Sequence, residues 1–466
     1  MKIYNTLTKQ KQELAEKKIG LYACGPTVYD DPHIGHARSA YVFDLIVRYM
    51  RFRGKKVIFV SNITDVDDKI IEKARNLCKD NDIKRTAQEI ADKYLKSYTD
   101  AMDLLGIKKP DRQPKATKSI TDMIKFIEDL INREYAYVSN GNVYFDVLKF
   151  KDYGKLSGQS VEEMKEGARV SLDKNKKNPL DFALWKTAKD DEPSWKSPWG
   201  MGRPGWHIEC SVMSTKILKN NFVMHGGGLD LVFPHHENEI AQTEAAGKKS
   251  AKYWIHHGLL TINGQKMSKS LGNFITVSDF AAKYKDLDLL KLLFLSSQYR
   301  HPVDYTDEKV EAQKQSKKRI KRFLKEIDDV LKNVKLSPKS QISDKYSLNF
   351  TAAMDDDFNT PLAMSVIFKC VEDGYKILRK DNLSESDYLE LYGGQIFIKD
   401  SARQLGFDFS TIVEMKDDFV LSKIVERDKA RDSKDFAKAD KIRDELFEKG
   451  IILKDTSEGT KWEKRG

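Results

Sequence analysis

The chain of 466 residues has only four cysteines, Cys24, Cys78, Cys210 and Cys370. That is too few for a disulfide framework, and the absence of any Cys-x-x-Cys pair removes the short zinc motifs. No apolar run approaches the ~20 residues of a membrane span. The opening residues, Met1 to Lys9, lack the apolar centre of a secretory signal. The expectation is a reduced, cytoplasmic protein with no membrane association. There is no internal repeat. Histidine is missing from the last third: eight of nine lie between His33 and His257, and none lies beyond His301. Histidine chemistry therefore belongs to the first two-thirds, and the rest of the chain has another task.

What is present fits a globular protein of two to four domains, with 40% hydrophobic and 33% charged residues. The net charge of +10 suits a polyanionic partner, although a lysine-rich background alone would also produce it. Ile19 to Cys24 reads as a strand, and a helix follows with Ala40, Phe43, Ile46, Val47 and Met50 on one face. The turn between them, rich in Gly and Pro, contains His33-Ile-Gly-His36. A doubly wound sheet brings nucleotide phosphates to such a turn, at a helix N-terminus. Gly35 leaves room for close approach. On these residues alone, a loop that merely contains two histidines remains an alternative.

Lys56 to Ser61 reads as a buried parallel strand, with the polar run Asn62 to Asp68 at its C-terminal end. Helices are expected over 84–105 and 117–132, then a hairpin from Tyr135 to Val147 turning at Asn140-Gly141. This breaks the βα alternation, so about 110–200 reads as an insertion between two halves of one sheet. Residues 185–206 hold four of the six tryptophans, as a packed anchor or as aromatic walls around a ligand. From about 307 the character changes. Glu311 to Val334 reads as a lysine-rich helix, 335–345 as a polar linker, and Phe350 to Arg379 and Leu389 to Leu405 as mostly helical. The tail from Asp417 holds one more amphipathic helix, about Phe436 to Lys449, ending at Gly450.

Four candidate metal ligands stand out: Cys24, Cys210, His235 and Glu239. His235 and Glu239 lie four apart on an expected helix starting at Pro234, so they share a face. Cys24 ends the first strand, Cys210 lies in the segment opening the second half, and adjacent parallel strands would bring them together. Two thiolates, an imidazole and a carboxylate suit zinc. On spacing alone the plainer reading leads: two buried cysteines and a helix with a surface His and Glu. His236 and Glu237 are expected to face away, as outer-layer or surface residues. A second charged element is the loop Asn263 to Asn273, with Lys266 and Lys269 around Met267 and Ser268. It lacks the frame of a P-loop. Two lysines on such a loop would neutralise a departing pyrophosphate, and an ordinary exposed charged loop is the alternative.

The conjunction of His33-Ile-Gly-His36 with Lys266-Met-Ser-Lys-Ser270 resembles the paired signatures of class I aminoacyl-tRNA synthetases. Tyr22 to Tyr29, Asn62 to Lys69, Trp206 to Ser211, His225-Gly-Gly-Gly, Phe233 to Glu239, Met354 to Pro361, Phe436 to Arg443 and Gly459 to Trp462 resemble the cysteinyl-tRNA synthetase family, over essentially the whole chain. The resemblance implies an α/β fold. A Rossmann-type parallel-sheet catalytic domain (1–110 and 201–306) would carry a connective insertion (111–200). A helical bundle at the tRNA stem (307–405) and a small C-terminal anticodon-recognition domain (406–466) would follow. It implies ATP-dependent activation of L-cysteine and transfer to the 3′ end of tRNA(Cys), with Mg²⁺ on the ATP, in a monomer. It places one zinc ion on Cys24, Cys210, His235 and Glu239, which reverses the plainer reading. His33, Gly35, His36, Gly226, Gly227, Asp230, Lys266 and Lys269 would bind ATP, the two histidines and two lysines acting in catalysis. Thr64, Trp206 and His225 would line the cysteine pocket. Lys317, Lys318, Arg322 and Trp462 would contact tRNA, although Trp462 equally suits an aromatic that pins the tail. Cys78 and Cys370 match no ligand position. A cysteine ligase on the same core with an amino-sugar acceptor, and a non-catalytic RNA- or zinc-binding paralogue, are the rival readings. The first has no need of the tail motifs. The second would be expected to lose His33, His36 or Lys269.

Overall fold

The computed structural model describes all residues except 80–81, 162, 165–173, 269–270, 333, 335–343, 410–416, 434, 449–450, 457–458 and 465–466. The chain divides into two compact units, Met1–Phe407 and Asp408–Gly466.

The first unit is built on a four-stranded parallel sheet in the order Tyr253–His257, Phe222–Gly228, Lys18–Ala23, Lys56–Ser61. Its strands are apolar over most of their length because both faces are covered. The earliest strand lies inside the sheet. The chain leaves it toward Lys56–Ser61 on one side and resumes at Phe222–Gly228 on the other. The order therefore reverses between Lys18–Ala23 and Phe222–Gly228. A crevice opens at the C-terminal ends of strands at such a point, and ligands bind there. The helix Ile34–Phe52 covers the sheet and buries Ala37, Tyr41, Phe43, Ile46 and Met50.

The expected hairpin forms between Ala136–Ser139 and Asn142–Phe145. It belongs to a separate antiparallel sheet with Phe182–Thr187, Gly200–Pro204 and Trp195–Ser197. Trp185 is fully buried there, an anchor, whereas Trp206 is 41% exposed at the start of the next helix. Helices Asp307–Leu331, Lys345–Asp355, Thr360–Leu378 and Glu385–Gln404 complete the unit around Ile320, Phe323, Phe350, Ile367, Val371 and Phe397. Most of the expected linker at 335–345 lies outside the described residues.

The second unit contains two helices, Asp417–Asp432 and Phe436–Glu448, and the hairpin Ile451–Thr456 with Gly459–Lys464. Its core is Val420, Ile424, Ile442, Leu446 and Ile451, with Leu453 and Trp462 packed against it. The expectation of a single tail helix missed Asp417–Asp432, whose charged residues obscure its apolar positions. The cap expected at Gly450 lies outside the described residues. No described helix is long and apolar enough to cross a membrane.

Candidate active site and metal centre

The sheet's reversal point gathers the sulfur and imidazole residues. Cys24 follows the strand Lys18–Ala23, and its backbone N–H donates to the Gly226 carbonyl across the crevice. The next residue must be glycine: a Cβ on Gly25 would lie 1.6 Å from the Asn62 carbonyl oxygen. Asn62 also accepts a hydrogen bond from the Gly25 N–H at 2.8 Å. Cys210 stands on the helix Trp206–Leu218, which packs against the strand Lys18–Ala23. His235 lies in the turn Val232–His236 just before the helix Glu237–Ala245, so the regular helix begins later than Pro234.

One ligand atom from each of Cys24, Cys210, His235 and Glu239 lies within 4.8 Å of all the others. The two sulfurs are 3.6 Å apart, and His235 Nε2 is 3.0 Å from Glu239 Oε1. Cys24, His225, His236 and Glu239 satisfy the same proximity criterion. The outward placement expected of His236 and Glu237 is half overturned, since neither is on the surface. His236 Nε2 is 3.3 Å from the Cys24 sulfur, and its other nitrogen meets His256 at 2.7 Å. The Glu237 carboxylate accepts the backbone N–H groups of Leu156 and Ser157.

The electrostatics are those of a crowded anionic nest held by imidazoles. Burial opposes ionisation of Glu239, but His225 and His235 outweigh it and hold the carboxyl down at about 2. Burial favours a neutral His235, yet Glu239 and Cys210 push it up to about 10. The Cys24 thiol, donating to Cys210, lowers that group to about 6 against the effect of burial, while burial and its acidic neighbours raise Cys24. A divalent cation on these atoms would displace the protons on His235 and Cys24.

In the same connection as Cys24, His33 caps the helix Ile34–Phe52. Its Nδ1 accepts the N–H groups of Gly35 and His36, at 3.1 and 3.3 Å. The His33 N–H in turn donates to His36 Nδ1. The rings stack with centroids 3.7 Å apart. With both Nδ1 atoms accepting, both Nε2 atoms carry the hydrogen and are left as donors. Burial pushes the rings down to about 4 and about 3, so they stay neutral. The space left by Gly35 is taken by the His33 ring, 2.8 Å from where a Cβ would stand. The lysine loop follows the pair Leu260–Ile262 and Gln265–Lys266, and Lys266 is exposed. Lys269 lies outside the described residues. Past the loop, Ile34 N–H donates to Ile275 and Val277 N–H to Pro32, tying its far end to the histidine turn.

Other expected residues take different places. Gly226 and Gly227 let rings close in, since a Cβ on either would meet Phe43 or His236. Asp230 is exposed beside them. The Thr64 hydroxyl donates to Glu209, a buried neighbour that spacing did not reveal. The Trp206 ring lies against His235 with centroids 4.2 Å apart and the planes tilted by 31°. His225 Nε2 meets Glu239 at 2.8 Å. Cys370 is buried in the helical region, and Cys78 is half-buried. Lys317 does not join an exposed basic face: it is buried and donates to Asp286 and Asp288. Lys318, Arg319, Arg322 and Arg379 line a surface groove. Trp462 packs on its own unit's core. Sequence reading missed His207, His256, Asn62 and Glu209. His207, Asn62 and Glu209 lie next to, or within two residues of, residues singled out, whereas His256 has no such neighbour.

The fold and this pairing of histidine turn and lysine loop are those of a class I tRNA synthetase. The architecture is similar to methionyl-tRNA synthetase of Mycobacterium tuberculosis in complex with methionyl-adenylate, with a TM-score of 0.62 and 15% identity, covering 84% of this chain and 90% of that one. It is also similar to a putative arginyl-tRNA synthetase of Campylobacter jejuni, with a TM-score of 0.60 and 15% identity over 84% and 94%. Residues 10–315 match the family described as tRNA synthetases class I (C) catalytic domain, and 349–409 match the DALR domain. The cysteine–tRNA ligases of Sulfurihydrogenibium sp. and Thermodesulfovibrio yellowstonii are 46% and 45% identical, over 100% and 99% of this chain and 99% of each relative. The chain belongs to the cysteine–tRNA ligase family.

Proposed function

We propose that the chain activates L-cysteine with ATP and transfers it to the 3′ end of tRNA(Cys), with a zinc ion on Cys24, Cys210, His235 and Glu239. The observation that carries this reading is the mutual approach of those four donors at the sheet's reversal point. Their chemistry fits zinc: two soft sulfurs, an imidazole and a carboxylate, with sulfurs 3.6 Å apart, close to the roughly 3.8 Å edge of a tetrahedron with ~2.3 Å zinc–sulfur bonds. When bound, the ion would supply a soft Lewis acid that prefers a thiolate to a hydroxyl. Shape cannot exclude serine, which is slightly smaller. A small apolar difference supplies only about 1–3 kcal/mol, whereas a 10⁴-fold discrimination needs about 5.5 kcal/mol.

The protein side chains position and neutralise. The cysteine carboxylate attacks the α-phosphorus of magnesium-bound ATP, and pyrophosphate leaves. The Nε2–H groups of His33 and His36 donate to phosphate oxygens, and their fixed tautomer avoids reorganisation during the reaction. Lys266 and Lys269 offset the charge gathering on pyrophosphate. Gly226, Gly227 and Asp230 border the adenosine. Thr64, Trp206 and His225 border the amino acid. A terminal ribose hydroxyl of tRNA then attacks the adenylate's carbonyl carbon, and AMP leaves. Positioning carries much of the rate.

The groove with Lys318 and Arg322 suits the phosphates of a tRNA stem. The amino-sugar ligase reading has no use for the DALR domain or the second compact unit. The test is charging of a tRNA(Cys) transcript with labelled cysteine, with serine in parallel. Cysteine alone should be charged. Cysteine-dependent ATP–pyrophosphate exchange without charging would move the reading to another acceptor.

A further inference from the structure

Tyr22 is fully buried, yet its hydroxyl has no hydrogen-bond partner. Buried polar groups are almost always paired, so an orphan phenol marks a missing acceptor state. Tyr22 and Cys24 are two apart at the end of one strand and share a face of the sheet. The helix carrying Cys210 packs on that strand, and Tyr22 and Cys210 share one core cluster. The Tyr22 ring meets His225 edge-on, with centroids 5.2 Å apart. The ionisable groups whose charge bears most on the hydroxyl are Cys210, Cys24 and Glu239. Glu239 already receives His225 and His235, and Cys24 already faces His236. With zinc displacing the protons of Cys24 and His235, both of which now face it, the Cys210 sulfur is left beside an acceptor, Asn62 Oδ1 at 3.7 Å. It is the atom with lone-pair capacity to spare once it is a thiolate.

We propose that Tyr22 is a positioning residue of the metal centre, its hydroxyl donating a hydrogen bond to the Cys210 sulfur. This rests on the zinc reading given above. The bond answers a charge problem. Two thiolates and a carboxylate exceed a divalent ion by one negative charge, and a substrate thiolate adds another. A neutral donor drains charge from one sulfur without adding a competing cation. A phenol is ordinarily protonated near neutral pH, so it is a donor.

Tyr22→Phe removes only the hydroxyl. Zinc affinity, measured on the full chain by chelator competition, should fall about 10–100-fold, the usual effect of losing a partner of a ligand. In the cobalt-substituted protein, the sulfur-to-cobalt charge-transfer band should move to lower energy, because the unbonded thiolate is the better electron donor. An unchanged affinity and an unchanged band would overturn the proposal. If the variant does not fold, 3-fluorotyrosine at position 22 keeps ring and hydroxyl but strengthens the donor. The band should then move to higher energy, and a static band counts against Tyr22. A parent protein that binds no metal sinks the zinc reading, whereas a zinc-loaded parent with an indifferent Tyr22→Phe sinks only this inference.

Discussion

The sulfurs of Cys24 and Cys210 stand 3.6 Å apart with no disulfide between them. A disulfide would draw them to about 2.05 Å. Ordinary packing gives no reason for two thiols, a carboxylate and several imidazoles to converge where water is excluded, since each polar group there needs a partner. A metal edge would account for the sulfur spacing, and the sheet's reversal point accounts for its place.

Cys210→Ser is therefore expected to lower metal content from one ion per chain to a small fraction, measured by atomic emission on the purified protein. The preference for cysteine over serine should fall with it. A variant retaining its full metal content would remove Cys210 from the site.

The histidine turn makes a different demand. His33 and His36 accept backbone N–H groups through Nδ1, which only a neutral ring can do. Their folded pKa values, about 4 and about 3, lie below the ordinary value for histidine. The sign follows: the competent neutral form is full above the ordinary value and is lost only as pH falls through about 4. ATP–pyrophosphate exchange should show no inflection near pH 6.5 that disappears in His36→Gln. The same substitution should slow exchange about 10²–10³-fold, the usual cost of one donor to developing charge.

Lys317 and Lys318 are neighbours with opposite fates. Lys317→Ala leaves Asp286 and Asp288 without their shared buried cation. It should lower stability by about 1–2 kcal/mol, discounted because both aspartates are partly exposed, while leaving tRNA affinity nearly unchanged. Lys318→Ala and Arg322→Ala should weaken tRNA binding and flatten its salt dependence by somewhat under one unit of slope each, with an unchanged melting temperature. Equal effects of Lys317 and Lys318 on tRNA affinity would place both on the contact face.

The difference between those two lysines shows where sequence reading stops. Periodicity placed both on a basic helix, but Asp286 and Asp288, about thirty residues earlier, decide which one meets solvent. The first strand, its helix and the hairpin at Asn140-Gly141 were legible because local patterning and turn chemistry dictate them. Cys24, Cys210, His235 and Glu239 were recognisable through family resemblance, while their spacing alone favoured a plainer reading. His236 was misplaced for a related reason. Helical periodicity separates it from His235, yet in a crevice walled on several sides both faces of that segment are buried. His256 and His207 gave no local pattern at all, because what gives them a role is the partner each meets across the fold.

Trp462 is the residue whose two readings make opposite forecasts. It packs with Leu453 against Val420, Ile424, Ile442, Leu446 and Ile451, so truncation to alanine should destabilise the second unit by about 2 kcal/mol, less than a fully buried tryptophan would cost. Stacking on a nucleobase needs an aromatic face, whereas filling this contact needs only apolar volume. Trp462→Leu and Trp462→Phe should therefore unfold near the same temperature and charge tRNA(Cys) at similar rates, with Trp462→Ala falling behind in both. A Trp462→Leu variant that melts like Trp462→Phe but charges tenfold more slowly would transfer the indole from the core of its own unit to the face of a tRNA base.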